Sequence, residues 1–258
     1  MTYAAIIQAR TNSSRLPNKI LLNYKNISPL SVLVKRLSKS KCLKKIIIAT
    51  TTKKNDDKIV KFCNENKILC FRGDENNVLK RYYLAAKKFK INKIVRITSD
   101  CPLVDYRILD QMIRVFKRKK IDYYANSLPL PSKYPDGMDI EIFTFKTLKT
   151  TFRKALLPSE KEHVTQYILN NPNNFQIGNI ENPENFSDIR LTVDHKIDFD
   201  LVKIIIENFP NEHVFTLNEV LAFFKKNPKL RQMNSHILFN EGYLKSLKED
   251  AEEKYSLS

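Results

Sequence analysis

Over its first half the chain alternates short apolar runs with longer stretches whose apolar residues recur at roughly helical spacing. Residues 3–8 form the first run and are predicted as a strand. Beyond a polar loop, Leu30, Leu33, Val34 and Leu37 share one face of a predicted helix. Residues 45–50 hold a continuous apolar core between polar ends, the pattern of a buried parallel strand. Asp56 and Asp57 stand where they can cap a second helix, whose inner face is Ile59, Phe62 and Cys63. A short strand at 68–71 and a turn at 72–75 follow. Val78, Tyr82, Ala85, Ala86 and Phe89 then line one side of a third helix. Residues 93–98 read as another buried strand. Residues 105–118 read as a helix with Leu109, Met112, Ile113 and Phe116 inward. Such alternation predicts an α/β fold with a doubly wound, largely parallel sheet. Sheets of this kind bind ligands at the carboxyl ends of their strands.

The second half is less regular. Strands are expected at 122–126, 139–145, 175–180 and 189–193, and a Pro-rich polar loop at 127–137. One helix is expected over 159–170, with Ser159 as its N-cap and a break at 170–174. Further helices are expected over 198–208 and 216–226. The pattern gives one domain over residues 1–227 with an insertion at 125–185. A polar extension, 228–258, reads as partly helical or frayed.

Composition narrows the chemistry. With 258 residues, 42% of them apolar, the chain can bury the core of one sizeable domain. Its 4 glycines form neither G-x-x-x-x-G-K-[ST] nor G-x-G-x-x-G, so a phosphate site here must rest on side chains. The net charge of +17 comes mostly from 33 lysines scattered through helices and turns. No basic tract interleaved with aromatics stands out, so the balance favours anionic small molecules over nucleic acid. Cys42, Cys63, Cys70 and Cys101 make no C-x-x-C pair and have no histidine at zinc-ligand spacing. They read as reduced thiols of a cytoplasmic protein. No signal-peptide pattern and no apolar run of membrane-spanning length is expected to be at work.

Three segments carry candidate chemistry. The first strand runs into Gln8-Ala9-Arg10-Thr11-Asn12-Ser13-Ser14-Arg15-Leu16-Pro17-Asn18-Lys19. Three cations and two hydroxyls at a strand end suit a polyphosphate; a solvated basic loop is the other reading. Asp100 follows a buried strand and either points into the cleft or caps the next turn. Asp194, far along the chain, follows a predicted strand in Thr192-Val193-Asp194-His195. Two carboxylates converging on one cleft would suit Mg²⁺, which takes few protein oxygens and keeps its waters.

The run Ile-Gln-Ala-Arg-x-x-Ser-Ser-Arg-Leu-Pro-x-Lys resembles the nucleotide loop of the CMP-Kdo synthetase class of sugar cytidylyltransferases. The branch it is most similar to is that of the spore-coat polysaccharide biosynthesis proteins. Asn18 stands where the family has glycine, Ser99 precedes Asp100 in place of another, and Lys161 replaces a usual arginine. The resemblance implies a single Rossmann-like, GT-A-type nucleotidyltransferase domain with a mostly parallel mixed sheet flanked by helices. It implies that CMP passes from CTP to a sugar or sugar-like acceptor with release of pyrophosphate, for cell-surface polysaccharide or glycoconjugate biosynthesis. Gln8, Ala9, Arg10, Ser13, Ser14, Arg15 and Lys19 would bind the nucleotide, with Arg10, Arg15 and Lys19 neutralising its triphosphate. Arg72, Asp74 and Arg81 would lie near the nucleoside. Asp100 and Asp194 would hold Mg²⁺, with Asp198 a helix cap and His195 a bystander. Asp139, Glu141 and His163 would line an acceptor pocket shaped by residues 125–185. Arg15, Lys19, Asp100 and Asp194 are thus the expected catalytic set, in a homodimer. A glycosyltransferase of similar fold is the rival, but its usual Asp-x-Asp is missing, since Asp100 is followed by Cys101 and Pro102. A basic nucleic-acid-binding module is a more distant rival.

Overall fold

The computed structural model describes residues 2–128, 132–210, 214–239 and 241–256, and in them the expected strand–helix alternation is present. Its strands are β1 (Tyr3–Gln8), β2 (Leu43–Thr51), β3 (Leu69–Gly73), β4 (Lys93–Thr98), β5 (Tyr123–Ala125), β6 (Glu141–Thr144) and β7 (Ile177–Asn179). They form one mixed sheet in the order β3-β2-β1-β4-β6-β5-β7. β6 runs antiparallel to both neighbours, and the other pairings are parallel.

The apolar run of β1 is continuous because both faces of the sheet are covered. Ala5 and Ile7 point into one core with α1 (Pro29–Ser38), α2 (Asp57–Glu65) and α4 (Tyr106–Arg118). Ala4 and Ile6 point into the opposite core with α3 (Val78–Lys88), α5 (Phe145–Lys154) and α7 (Gln166–Asn170). A third core joins Leu103, Leu191 and Val193 to α8 (Lys196–Asn208) and α9 (Leu217–Lys226). Short α6 (Pro158–Glu162) and α10 (Pro228–Arg231) and the terminal α11 (Glu241–Ser256) complete the helices of the described residues.

Several expectations are corrected. Arg72 and Gly73 are not in a turn; they extend β3, opposite Thr50 and Thr51. Residues 159–170 are two helices, because Val164 takes φ 60°, a left-handed conformation that ends α6. Leu157 is the N-cap of α6, with Pro158 at its first position; Ser159 lies inside. Residues 189–193 make no ladder. Apart from one bridge, Arg190 to Asp136, their backbone groups bond to loops. Asp56 makes no side-chain cap; its carboxylate accepts from Thr11 and Thr51 instead. α5 was not foreseen. It is started by Thr144, whose hydroxyl accepts from the Thr147 N–H at 3.0 Å. Of the predicted loop at 127–137, residues 129–131 lie outside the described residues.

Candidate active site

The loops after β1 and β4 leave neighbouring parallel strands, with Gln8 opposite Thr98, so they open on the same crevice. Asp100 is delivered by the second loop. Its carbonyl accepts from the Val193 N–H (2.8 Å) and the Thr192 hydroxyl (3.1 Å). Those two bonds lay the 192–194 segment against the end of β4 and bring Asp194 beside Asp100. Lys19, from the first loop, bridges them: its ammonium donates to Asp100 Oδ2 at 2.9 Å and to Asp194 Oδ1 at 2.6 Å. Arg15 adds a second contact to Asp194 Oδ1 at 2.8 Å. Burial alone would raise the Asp194 pKa, but Lys19 and Arg15 hold the carboxyl well below the usual range. Burial would likewise lower Lys19, and the two carboxylates more than offset it, leaving its pKa raised.

The β1 loop is fixed from beneath. Thr11 donates its N–H and its hydroxyl to Asp56 Oδ1, both at 2.7 Å, and Thr51 donates to the other oxygen. Asn18 takes the left-handed φ of 56°, so the residue standing where the family has glycine keeps the glycine conformation. Gln8, Ala9, Arg10, Ser13, Ser14, Arg15, Lys19 and Arg81 line one cleft with Asp100 and Asp194, with a volume of about 860 Å³. Arg10 reaches Glu162 at 3.5 Å. Arg81 is buried; its Nη1 donates to the Asp74 carbonyl at 2.7 Å, and its Nε has no partner among the described residues. Arg72 and Asp74 are not brought into this cleft. Because Arg72 sits in edge strand β3, its guanidinium is taken up by Asp57 (2.6 Å) and by the carbonyls of Thr51 and Lys53. The Asp74 carboxylate closes its own turn, accepting from the N–H groups of Asn76 and Asn77.

A second cavity of about 840 Å³ adjoins the cleft and shares Arg96, Thr98, Asp139, Glu141's neighbour His163 and no other side chain with it. Glu141 is fully engaged, accepting from Tyr123 (2.6 Å), Thr165 (2.5 Å) and Arg96. Among the described residues Asp139 accepts only the Gly137 N–H, at 3.3 Å. Burial, with Glu141 and Asp100 nearby, pushes its carboxyl up to about 6. His163 Nε2 is hydrogen-bonded to the Ser246 hydroxyl at 2.7 Å, and burial and Arg96 lower its pKa to about 4. At neutral pH this imidazole is uncharged.

Two contributors were not foreseen. Arg190, buried, contacts Asp136 (2.8 Å), Asp198 (3.1 Å) and Asp194 (3.3 Å), and so aims the Asp194 carboxylate. Asp198, expected as a helix cap, accepts the N–H groups of Asp194 and His195 and so caps from the first turn of α8. His195, expected as a bystander, pairs with Glu241 at 3.0 Å. The second contributor is α11, which closes the outer wall: Glu241 reaches Arg15 at 3.5 Å, Tyr243 accepts from Gln166, and Asp250 holds Ser159. The spacing of Arg190 four residues before Asp194 was the one available signal, since it fits an ion pair.

Hard carboxylate oxygens from Asp100 and Asp194 face one point, and among the described residues Asp100 Oδ1 has only a long contact from the Cys101 thiol. That donor set fits a Mg²⁺ ion shared with phosphate oxygens and water. Among the described residues no group of three or more His, Cys, Asp or Glu is placed to hold a metal alone.

Residues 4–248 match the family model described as cytidylyltransferase. An uncharacterized protein of Methanocaldococcus jannaschii is 38% identical over 92% of this chain and 96% of its own length. The spore coat polysaccharide biosynthesis protein SpsF of Bacillus subtilis is 33% identical over 86% and 94%. A cytidylyltransferase structure from Leptospira borgpetersenii superposes with TM-score 0.85 at 35% identity, covering 90% of this chain and 97% of that one.

Proposed function

We propose, from the premise that this chain belongs to the cytidylyltransferase family, that it transfers CMP from CTP to a sugar or sugar-like acceptor with release of pyrophosphate. Cell-surface polysaccharide or glycoconjugate biosynthesis is the setting, as SpsF's name states for that relative. The observation that carries the reading is the single ammonium of Lys19 held between Asp100 and Asp194, next to a second cavity.

In this reading the triphosphate lies along the β1 loop, and Arg10, Arg15 and Lys19 exchange carboxylate partners for phosphate oxygens. The buried Gln8 Oε1, which has no donor among the described residues, accepts from the exocyclic amine of cytosine. Asp100 and Asp194 would hold Mg²⁺, which would supply neutralising charge at the phosphates. The acceptor oxygen, presented from the second cavity, attacks the α-phosphorus in line. The bond from that phosphorus to its bridging oxygen breaks, and Lys19 and Arg15 balance the charge that grows on pyrophosphate. The protein contributes position and fixed charge rather than covalent steps.

Pyrophosphate release with each of four nucleoside triphosphates, with and without Mg²⁺, tests the proposal. CTP with Mg²⁺ is expected to be preferred. Asp100→Asn and Lys19→Ala are each expected to cut turnover about a hundredfold while the circular dichroism spectrum is kept. Undiminished release by either folded variant overturns the assignment.

The proposed form is a homodimer acting in the cytoplasm. Exposed Leu156, Leu244 and Leu247 and four unpaired cysteines support those two points, which light scattering and fractionation test. None of the described helices is long and apolar enough to cross a membrane.

A further inference from the structure

His163, which lines both cavities, is held from one side by a strained turn and from the other by α11. The next residue, Val164, is fully buried with φ 60°, a backbone state that a β-branched residue keeps only where its surroundings enforce it. The turn it makes ties its neighbours together. The Thr165 N–H donates to the His163 carbonyl, and the Thr165 hydroxyl donates to Glu141, both at 2.5 Å. On the other side, the Tyr243 ring meets the imidazole edge-on, with centroids 5.4 Å apart and planes at 78°. The Ser246 hydroxyl lies 2.7 Å from Nε2 and donates to the Tyr243 carbonyl at 2.9 Å. A hydroxyl has one proton, and a carbonyl can only accept it. The bond to His163 therefore runs from Nε2–H to the Ser246 oxygen. In an uncharged ring this leaves Nδ1 with a free lone pair. Nδ1 has no hydrogen-bond partner among the described residues and is open to solvent.

We infer that Ser246 is a positioning residue: it locks His163 as the Nε2–H tautomer, so that Nδ1 accepts a hydrogen bond from a hydroxyl of the acceptor where the two cavities join. The inference rests on the cytidylyl-transfer reading and names how that site takes hold of its second substrate. A neutral nitrogen suits the place. It orients a hydroxyl without repelling the triphosphate or an acidic group on the acceptor, as a further carboxylate there would. With its hydrogen directed at Nδ1, the hydroxyl oxygen is left with its lone pairs free to face the α-phosphorus. No bond is made or broken at His163 and no proton is stored on it. The other tautomer would present an N–H at the same point and turn that oxygen around. The backbone strain at Val164 and the docking of α11 thus serve one end, a ring fixed in position and in protonation.

Nuclear magnetic resonance of the whole protein, nitrogen-labelled only in its 4 histidines, tests the tautomer directly, because long-range proton–nitrogen spectra distinguish a protonated ring nitrogen from a free one. At neutral pH His163 is expected to be protonated on Nε2 alone. Ser246→Ala is expected to release the ring into a mixture of tautomers, and Ser246→Thr to keep the parent pattern. A parent His163 protonated on Nδ1, or a ring unmoved in Ser246→Ala, overturns the inference. Hexoses, hexosamines, sugar acids and hexose phosphates, each added with CTP and Mg²⁺, then probe the contact. At least one class is expected to shift the Nδ1 resonance and to release pyrophosphate. For that class Ser246→Ala and His163→Phe are expected to raise the acceptor KM about threefold to tenfold, more than they lower kcat, and Ser246→Thr to restore it. An Nδ1 resonance that no class shifts, or an acceptor KM that neither variant raises, overturns the inference. Thermal stabilisation by CTP with Mg²⁺ keeps the two failures apart. Stabilisation with no acceptor effect at Nδ1 removes the role given to His163 alone; no stabilisation removes the nucleotide reading and this inference with it.

Discussion

Arg190 shows how much of the site depends on a residue that touches no substrate in the proposed mechanism. Its guanidinium is 2% exposed and meets three carboxylates, one of which, Asp198, is 0% exposed. Arg190→Met would leave that charge buried without its cation. A loss of about 3–5 kcal/mol in urea unfolding is expected, together with weaker turnover as Asp194 loses its aim. Asp139 gives a second test, read in pH. Its carboxyl is pushed up to about 6 by burial, against about 4 in an unfolded chain. The folded state therefore holds more protons between those values, and this contribution is complete below about pH 4 and lost as pH rises through about 6. Asp136, pushed up to about 7 by burial and by Asp139, acts with the same sign. Relative to the parent protein, apo Asp139→Asn is therefore expected to gain melting temperature on going from about pH 4.5 to about pH 7.5. An unchanged difference between the two proteins across that range counts against the assigned burial of the charge.

At the scale of elements, legibility followed the range of the forces involved. The β1 loop was readable because its cations, hydroxyls and Asn18, which tolerates the left-handed conformation, lie within a dozen residues and act locally. The break in 159–170 was not, because the left-handed Val164 is fully buried in the core under α3 and α5 and is held there by tertiary packing, against its own preference. The docking of α11, though not its helical character, was hidden for another reason. The helix binds the domain through Tyr243, Ser246 and Asp250 rather than through an apolar stripe, so periodicity gave no warning. Asp250 accepts the Ser159 N–H at 2.8 Å and the Ser159 hydroxyl at 2.5 Å, and both partners are buried. Asp250→Ala strands two donors. Hydrogen exchange over 241–252 is expected to quicken by about tenfold or more, a local loss of about 1–3 kcal/mol, with the sheet unaffected. Unchanged exchange in that helix would show that the strap is held elsewhere.

For the molecule as a whole, the strand order explains why residues from distant parts of the chain meet. β1 is an interior strand, and the chain leaves it toward β2 on one side while β4 flanks it on the other. The crevice therefore opens between the loops after β1 and β4, where Lys19 and Asp100 sit. That much follows from alternating apolar runs. The arrival of Asp194 does not, since it depends on the third core, where Leu191 and Val193 pack against α8 and α9 and the backbone of 192–193 bonds to Asp100. No periodic signal marks residues 189–193 as a segment that crosses to another strand's end. The net charge of +17 was a poor guide to the site for a similar reason: composition counts lysines, whereas the crevice pairs its cations with carboxylates of the same chain.

That internal pairing has a consequence for what the resting protein ignores. A lone orthophosphate gains the Lys19 ammonium only by taking it from Asp100, which has no other cation among its described contacts, and from Asp194, a poor trade in a half-enclosed crevice. A polyphosphate that arrives with its own divalent cation satisfies ammonium and carboxylates together. The pocket is in effect stoppered by its own side chains, and it opens to a pair of ions more readily than to either one alone.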